Sequence, residues 1–180
     1  MRIIGGKLGG IRLNPPTNLP VRPTTDIAKE ALFNILLNQT DIDGTTCLDL
    51  FCGTGNISFE LASRGASHVD AIDIHPKCLF YIKDTCEKHK IETIHTRKAD
   101  VFKYITSAKK NYDLIFADPP YDIDRLPQLP EMILNNNLLE PGGILVVEHP
   151  STRKMATHPA FIETRKYGYS SFSFYKQNNK

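Results

Sequence analysis

Asp118-Pro119-Pro120-Tyr121 follows a short apolar run, Tyr112 with Leu114–Ala117, of the kind buried in a parallel sheet. Neither proline has an N–H to donate, and each holds φ near −65°, so strand pairing must stop there. At the end of the strand stand a carboxylate on Asp118, a stiffly aimed carbonyl on Pro119 and a flat ring on Tyr121. Two acceptors and a stacking face suit the grip of an amino group on a planar ring. The plainer reading of the same four residues is a strand terminator followed by a turn.

A second set lies upstream. Asp49-Leu50-Phe51-Cys52-Gly53-Thr54-Gly55-Asn56 joins an apolar strand to a helix. Gly53 and Gly55 permit a sharp turn and a close backbone approach to a ligand. A nicotinamide dinucleotide loop needs a third glycine where this chain has Ser58, and no phosphate-cradling GxxxxGK[ST] loop is present. An acid at the strand end, Asp49, suits a cationic ligand better than a pyrophosphate. Asp73, about 20 residues beyond the glycines, is placed to accept from ribose hydroxyls. Asp100 is placed to accept from an adenine amino group. Each aspartate alone reads as a helix cap; three at successive strand ends read as a nucleoside pocket. A nucleoside with a positive amino-acid tail, held without phosphate-binding apparatus, is S-adenosylmethionine.

These residues must be positioned by alternating strands and helices. Strands are expected at Cys47–Leu50, Val69–Ile72, Glu92–Thr96, Leu114–Ala117 and Ile144–Val147, the last entered through a turn at Pro141-Gly142-Gly143. Between them come helices at Asn56–Arg64, Pro76–Lys88, Phe102–Ala108 and Leu129–Asn136, after an earlier helix opening at Thr25 or Asp26. Such βα alternation predicts a parallel sheet covered on both faces, with ligands beyond the carboxyl ends of its strands. Phe161–Tyr167 and Ser171–Lys176 read as a closing antiparallel hairpin. Residues 2–14 read as two short strands around a glycine-rich turn, which makes residues 1–20 a small β-hairpin extension and 21–180 the main domain.

The totals narrow the class. One domain of 180 residues with 41% hydrophobic content has no apolar run approaching the ~20 residues of a membrane span, and no secretory leader is expected. Cys47, Cys52, Cys78 and Cys86 show no CxxC pairing, so reduced thiols in a cytoplasmic protein and no metal are expected. The net charge of +2 conceals a polarity: residues 1–38 hold five Lys/Arg against two acids, and 151–180 hold six against one. Cationic ends around an anionic centre point to a polyanionic partner, with Arg2, Lys7, Arg12 and Arg22 as phosphate contacts. Nothing demands a dimer, so a monomer is expected.

DLFCGTGN followed by ADPPY resembles the Rossmann-like S-adenosylmethionine-dependent methyltransferases that modify exocyclic amino groups. With Ile4-Gly5-Gly6, Arg22–Asp26 (RPTTD), Lys29–Asn34 (KEALFN) and Tyr167-Gly168, the chain is similar over nearly its whole length to the bacterial 16S ribosomal RNA (guanine-N2) methyltransferases. The resemblance implies a mostly parallel seven-stranded sheet with helices on both faces and a C-terminal antiparallel hairpin. It also implies Asp49, Gly53 and Gly55 around the methionine portion of the cofactor, Asp73 on the ribose and Asp100 near adenine, with Phe51 and Val101 also binding the cofactor. Asp118, Pro119, Pro120 and Tyr121 would hold the target base, and ribosomal RNA or the small-subunit particle would be the partner. The family usually has Glu where Asp73 stands, and often an acid where this chain has His75. Competing readings are an adenine-N6 DNA or protein-glutamine methyltransferase using the same four residues, a non-catalytic cofactor-binding module, and an NAD oxidoreductase, the last disfavoured by Ser58.

Overall fold

The computed structural model describes residues 1–21 and 24–178. Among them run α1 (Asp26–Leu37), β1 (Thr46–Leu50), α2 (Asn56–Ser63), β2 (His68–Asp73), α3 (Pro76–Lys88), β3 (Ile94–Lys98), α4 (Val101–Ser107), β4 (Tyr112–Ala117), α5 (Leu129–Asn135), β5 (Leu139–Pro150), β6 (Phe161–Tyr167) and β7 (Ser170–Lys176). The strands form one sheet in the order β3-β2-β1-β4-β5-β7-β6. β1 to β5 pair in parallel, and β7 pairs antiparallel with both β5 and β6. The strand order reverses between β1, which leads to β2, and β4, so a crevice opens beyond the carboxyl ends of these two strands.

Alternation along each central strand sends neighbouring side chains to opposite faces. Cys47, Val69, Leu114 and Val146 pack with α1, α2 and α3; Leu48, Ile72, Ile115 and Val147 pack with α4 and α5. With both faces covered, β4 is apolar at almost every position, which is why the run before Asp118 shows no alternation of polarity. No helix among the described residues is long and apolar enough to cross a membrane, and Cys47, Cys52, Cys78 and Cys86 are buried free thiols.

Three elements differ from the sequence expectation. β3 lies two residues later, at Ile94–Lys98, because its register is set by β2, with Val69 facing Ile94 and Asp73 facing Lys98. Pro141-Gly142-Gly143 runs inside a longer β5 rather than as a turn before it. A register shift between Tyr112 and Leu114 accommodates these residues. The N-terminal hairpin is reduced to a single antiparallel bridge between Arg2 and Arg12. Ile3 donates to the Ile11 carbonyl, Gly10 to the Ile3 carbonyl and Leu13 to the Met1 carbonyl, while Ile4 and Gly5 donate to the Glu60 carboxylate at 2.8 and 2.9 Å, and Lys7 and Leu8 donate to the carbonyl and hydroxyl oxygens of Ser63. The arm therefore folds back on itself and is also tied to α2, and its Ile3 and Leu13 are buried in the core on the α1–α3 face.

Glu60 is the anchor of that junction. Its carboxylate also meets Lys29 of α1 at 3.1 Å and Arg64 at 2.8 Å, with both Lys29 and Glu60 fully buried. Burial alone would raise the Glu60 pKa. The Ile4 and Gly5 N–H groups, Arg64 and Lys29 outweigh it and hold the carboxyl below its ordinary value. Lys29 donates in addition to the Arg2 carbonyl and to Asn56 Oδ1.

Candidate active site

A cavity of about 510 Å³ opens at the carboxyl edge of the sheet, between β1, β2 and β4. It is lined by Asp49, Phe51, Gly53, Asp73, Asp100 and Val101, and equally by Asp118, Pro119, Pro120 and Tyr121. The two motifs therefore share one cavity, although Asp118 comes 62 residues after Asn56: β1 and β4 are adjacent, with Leu50 paired to Ala117, and the Asp118 N–H donates to the Leu50 carbonyl.

The loop between β1 and α2 is held in an uncommon backbone shape. Phe51 has φ +59°, a region that bulky side chains rarely adopt and that marks functional loops when the surroundings enforce it. Here the Cys52 N–H is fixed by the Ile72 carbonyl and the Gly53 N–H by Asp73 Oδ2 at 2.8 Å. Gly55 is not among the lining residues. It stands at φ +87°, where a Cβ would lie 2.9 Å from Ile82 and 3.0 Å from Phe59, so it packs the loop onto α3.

The acids divide by environment. Asp49 is buried, and loss of hydration lifts its carboxyl to about 7, although the Ser58 hydroxyl donates to Oδ2 at 2.7 Å and opposes the rise. Ser58, which in the sequence only counted against a dinucleotide loop, thus orients the acid at the floor of the cavity. Asp73 accepts from the Gly53 N–H on one oxygen and from the His75 N–H, at 2.9 Å, on the other. Both oxygens thus brace the loop, and each has a second lone pair. Asp100 caps α4 through the Lys103 N–H at 3.1 Å and is exposed beside the cavity. Phe102 borders the same region, edge-on to Phe51 with ring centroids 6.1 Å apart, and the Arg125 guanidinium lies 4.4 Å over its ring.

Several contributors lie outside the set of expected site residues. Thr24 and Asn56 line the cavity. The Asn56 side chain donates to the Thr24 carbonyl, and the Thr24 hydroxyl donates to the buried Glu148 at 3.1 Å, so the segment before α1 is tied to the ends of α2 and β5. Arg153, between β5 and β6, donates to the carbonyls of Tyr121, Ile123 and Asp124 at 3.1, 2.6 and 3.2 Å. One guanidinium thus fixes the loop that follows Asp118–Tyr121. Arg153→Ala should cost about tenfold in turnover while leaving cofactor affinity unchanged, because it loosens only the Tyr121 side of the cavity. Steady-state kinetics beside calorimetry checks this.

The expected phosphate contacts lie apart from the cavity lining. Arg2 and Arg12 face each other across the N-terminal bridge, and both they and Lys7 are exposed. Arg2 also approaches Asp26 at 3.8 Å. Arg22 falls outside the described residues.

The doubly covered parallel sheet with its terminal antiparallel hairpin, and the nucleoside-type crevice beside Asp118–Tyr121, define a Rossmann-like S-adenosylmethionine-dependent methyltransferase. A family model described as "Conserved hypothetical protein 95" matches residues 1–176. The chain is 32% identical over 160 residues to ribosomal RNA small subunit methyltransferase D of Buchnera aphidicola, covering 88% of this chain and 81% of that protein. To the protein of the same name from Haemophilus influenzae it is 28% identical over 183 residues, covering 98% and 93%. A solved structure of a hypothetical protein of Thermus thermophilus superposes with a TM-score of 0.84 at 27% identity, covering 97% of this chain and 98% of that one. The chain belongs to this methyltransferase family.

Proposed function

We propose that the protein transfers a methyl group from S-adenosylmethionine to the exocyclic N2 amine of a guanine in small-subunit ribosomal RNA, acting as a monomer in the cytoplasm. The observation that carries the reading is the single cavity shared by the three strand-end aspartates and by Asp118–Tyr121. The family's relatives named for small-subunit ribosomal RNA support the choice of substrate.

The residues present fit the cofactor. A buried carboxylate whose pKa is pushed up to about 7 calls for a cation, and the methionine ammonium is one. Asp73 has a lone pair left on each oxygen for ribose hydroxyls, and Asp100 stands at the adenine end with Val101 and Phe102. When bound, S-adenosylmethionine supplies an electrophilic methyl on a sulfonium centre.

The chain's part is to make a poor nucleophile competent. The guanine N2 lone pair is delocalised into the ring. Hydrogen bonds from its two N–H groups to the Asp118 carboxylate and the Pro119 carbonyl favour a pyramidal nitrogen whose lone pair is free to attack. Tyr121 stacks on the base, and Pro120 keeps the Pro119 carbonyl aimed. Alkylation makes the nitrogen strongly acidic, so Asp118 or water takes the proton without a strong general base. Most of the acceleration comes from holding two reactants in line.

The Asp49 environment sets a pH dependence. Its carboxyl is raised above the unfolded value, so burying it neutral favours the fold at low pH, and that contribution fades as pH rises toward 7. Binding a cation demands the ionised form. Cofactor affinity should therefore weaken by about tenfold per pH unit below about 7, and Asp49→Asn should bind weakly with a flat profile. Calorimetric titration between pH 5.5 and 8 is the check. The substrate class is tested by incubating the protein with labelled S-adenosylmethionine and, separately, 30S subunits, naked ribosomal RNA, DNA or protein extract. Label in the ribosomal RNA of either of the first two is expected; label in DNA or protein alone would refute it.

A further inference from the structure

The sequence marks the β6–β7 turn as the closure of a hairpin, and the sheet carries it to the edge of the cavity. β7 runs antiparallel to β5 with Ser170 opposite Pro150, so the turn projects at the same edge as Asp118. The connection is direct: the Ser170 and Tyr121 hydroxyls are hydrogen-bonded at 2.5 Å. The next residue back, Tyr169, leaves 91% of its surface exposed and contributes nothing to the core. Its backbone is nevertheless fixed. Ser151 donates from its N–H to the Tyr169 carbonyl at 2.8 Å and from its hydroxyl to the Gly168 carbonyl at 3.1 Å. A rigid turn thus presents a bare aromatic ring beside the residue that faces the target base.

The chain segments on either side of it are cationic. Lys154 and Lys166 are exposed on the segments flanking this turn, within the 151–180 stretch that holds six Lys/Arg and one acid. An aromatic face among cations is the pattern that holds unpaired nucleotides, the ring stacking on a base and the cations meeting phosphates. A protein partner would need a wider apolar surface than a single ring offers.

We propose that the β6–β7 turn is a second RNA contact, with Tyr169 stacking on the nucleotide next to the target guanine and Lys154 and Lys166 on the neighbouring phosphates. The inference rests on the reading of the cavity as an RNA methyltransferase site. By holding Tyr121 through Ser170, the turn also aligns the two stacking rings, so that target and neighbour are splayed apart together.

The test is steady-state methylation of small-subunit ribosomal RNA, as 30S particles and as naked RNA, from cells lacking this protein. Tyr169→Ala should raise KM for RNA about tenfold, with cofactor affinity unchanged, and Tyr169→Phe should behave as wild type. Lys154→Ala with Lys166→Ala should flatten the salt dependence of RNA binding by about 0.7–0.9 per lost contact. Wild-type KM in Tyr169→Ala, or equal losses in the Ala and Phe variants, would overturn the stacking role. If wild-type protein methylates neither RNA, it is the reading of the site that fails, not the role of the turn.

Discussion

Asp118→Ala should lower turnover about 10²–10³-fold while S-adenosylmethionine binds with nearly wild-type affinity. The size follows from what is removed: a charged acceptor that acts on the amine as its nitrogen pyramidalises, in a site partly closed to water. Losses of that order are usual for a preorganised hydrogen-bonding group that strengthens in the transition state. The selectivity follows from the layout. Asp118 is at the end of β4, whereas the groups expected to hold the cofactor project from β1, β2 and the start of α4. Asp118→Asn keeps one acceptor oxygen and should fall between the two. Parallel calorimetry and single-turnover methylation distinguish the outcomes, and a matching loss of cofactor affinity would place Asp118 on the wrong side of the cavity.

The second large effect is on the fold. Glu60→Ala should destabilise the protein by about 3–5 kcal/mol, because it strands a fully buried lysine and releases the Ile4 and Gly5 N–H groups. Lys29 would keep only neutral hydrogen-bond partners, the Arg2 carbonyl and Asn56. Replacing both partners, Lys29→Met with Glu60→Leu, should recover part of the loss, since no buried charge then remains. The pair also contributes to stability against acid: a Glu60 carboxyl held below its ordinary value adds stability above the unfolded carboxylate range, and that stability is lost as pH falls through its folded pKa. Denaturant titration measures both effects. A single-variant loss under about 1 kcal/mol would show that the junction between the arm, α1 and α2 does not depend on this pair. The consequence for function is that Arg2, Lys7 and Arg12 ride on that arm, so Glu60→Ala should weaken RNA binding as well.

What the sequence made legible was whatever the backbone chemistry of a few residues could fix locally. Gly53 and Gly55 announce a sharp loop, Pro119 and Pro120 announce the end of a strand, and the β-α alternation orders the sheet around both. The division of labour inside the loop was not legible. Gly55 packs against Ile82, and Ser58 serves Asp49, because both depend on neighbours brought in by α3 and by β1. β3 shifted for a similar reason: polar, basic residues on an edge strand carry little hydrophobic pattern, and pairing with β2 decides their register. The N-terminal glycines mark a segment that folds back on itself, but its tie to α2 is not legible, because the acceptors Glu60 and Ser63 lie more than 50 residues away in sequence. Arg153 was invisible on the same grounds, since its three carbonyl partners belong to a loop some 30 residues earlier.

The central claim is that Asp118 and Pro119 prepare a guanine N2 amine for methylation, and the product nucleoside reports on it most directly. Small-subunit ribosomal RNA from cells lacking this protein, treated with wild-type protein and methyl-labelled S-adenosylmethionine, should yield label in N2-methylguanosine after digestion and mass spectrometry, and none with Asp118→Ala. Label in N6-methyladenosine or in a ring-nitrogen product, or undiminished label from Asp118→Ala, would contradict the account.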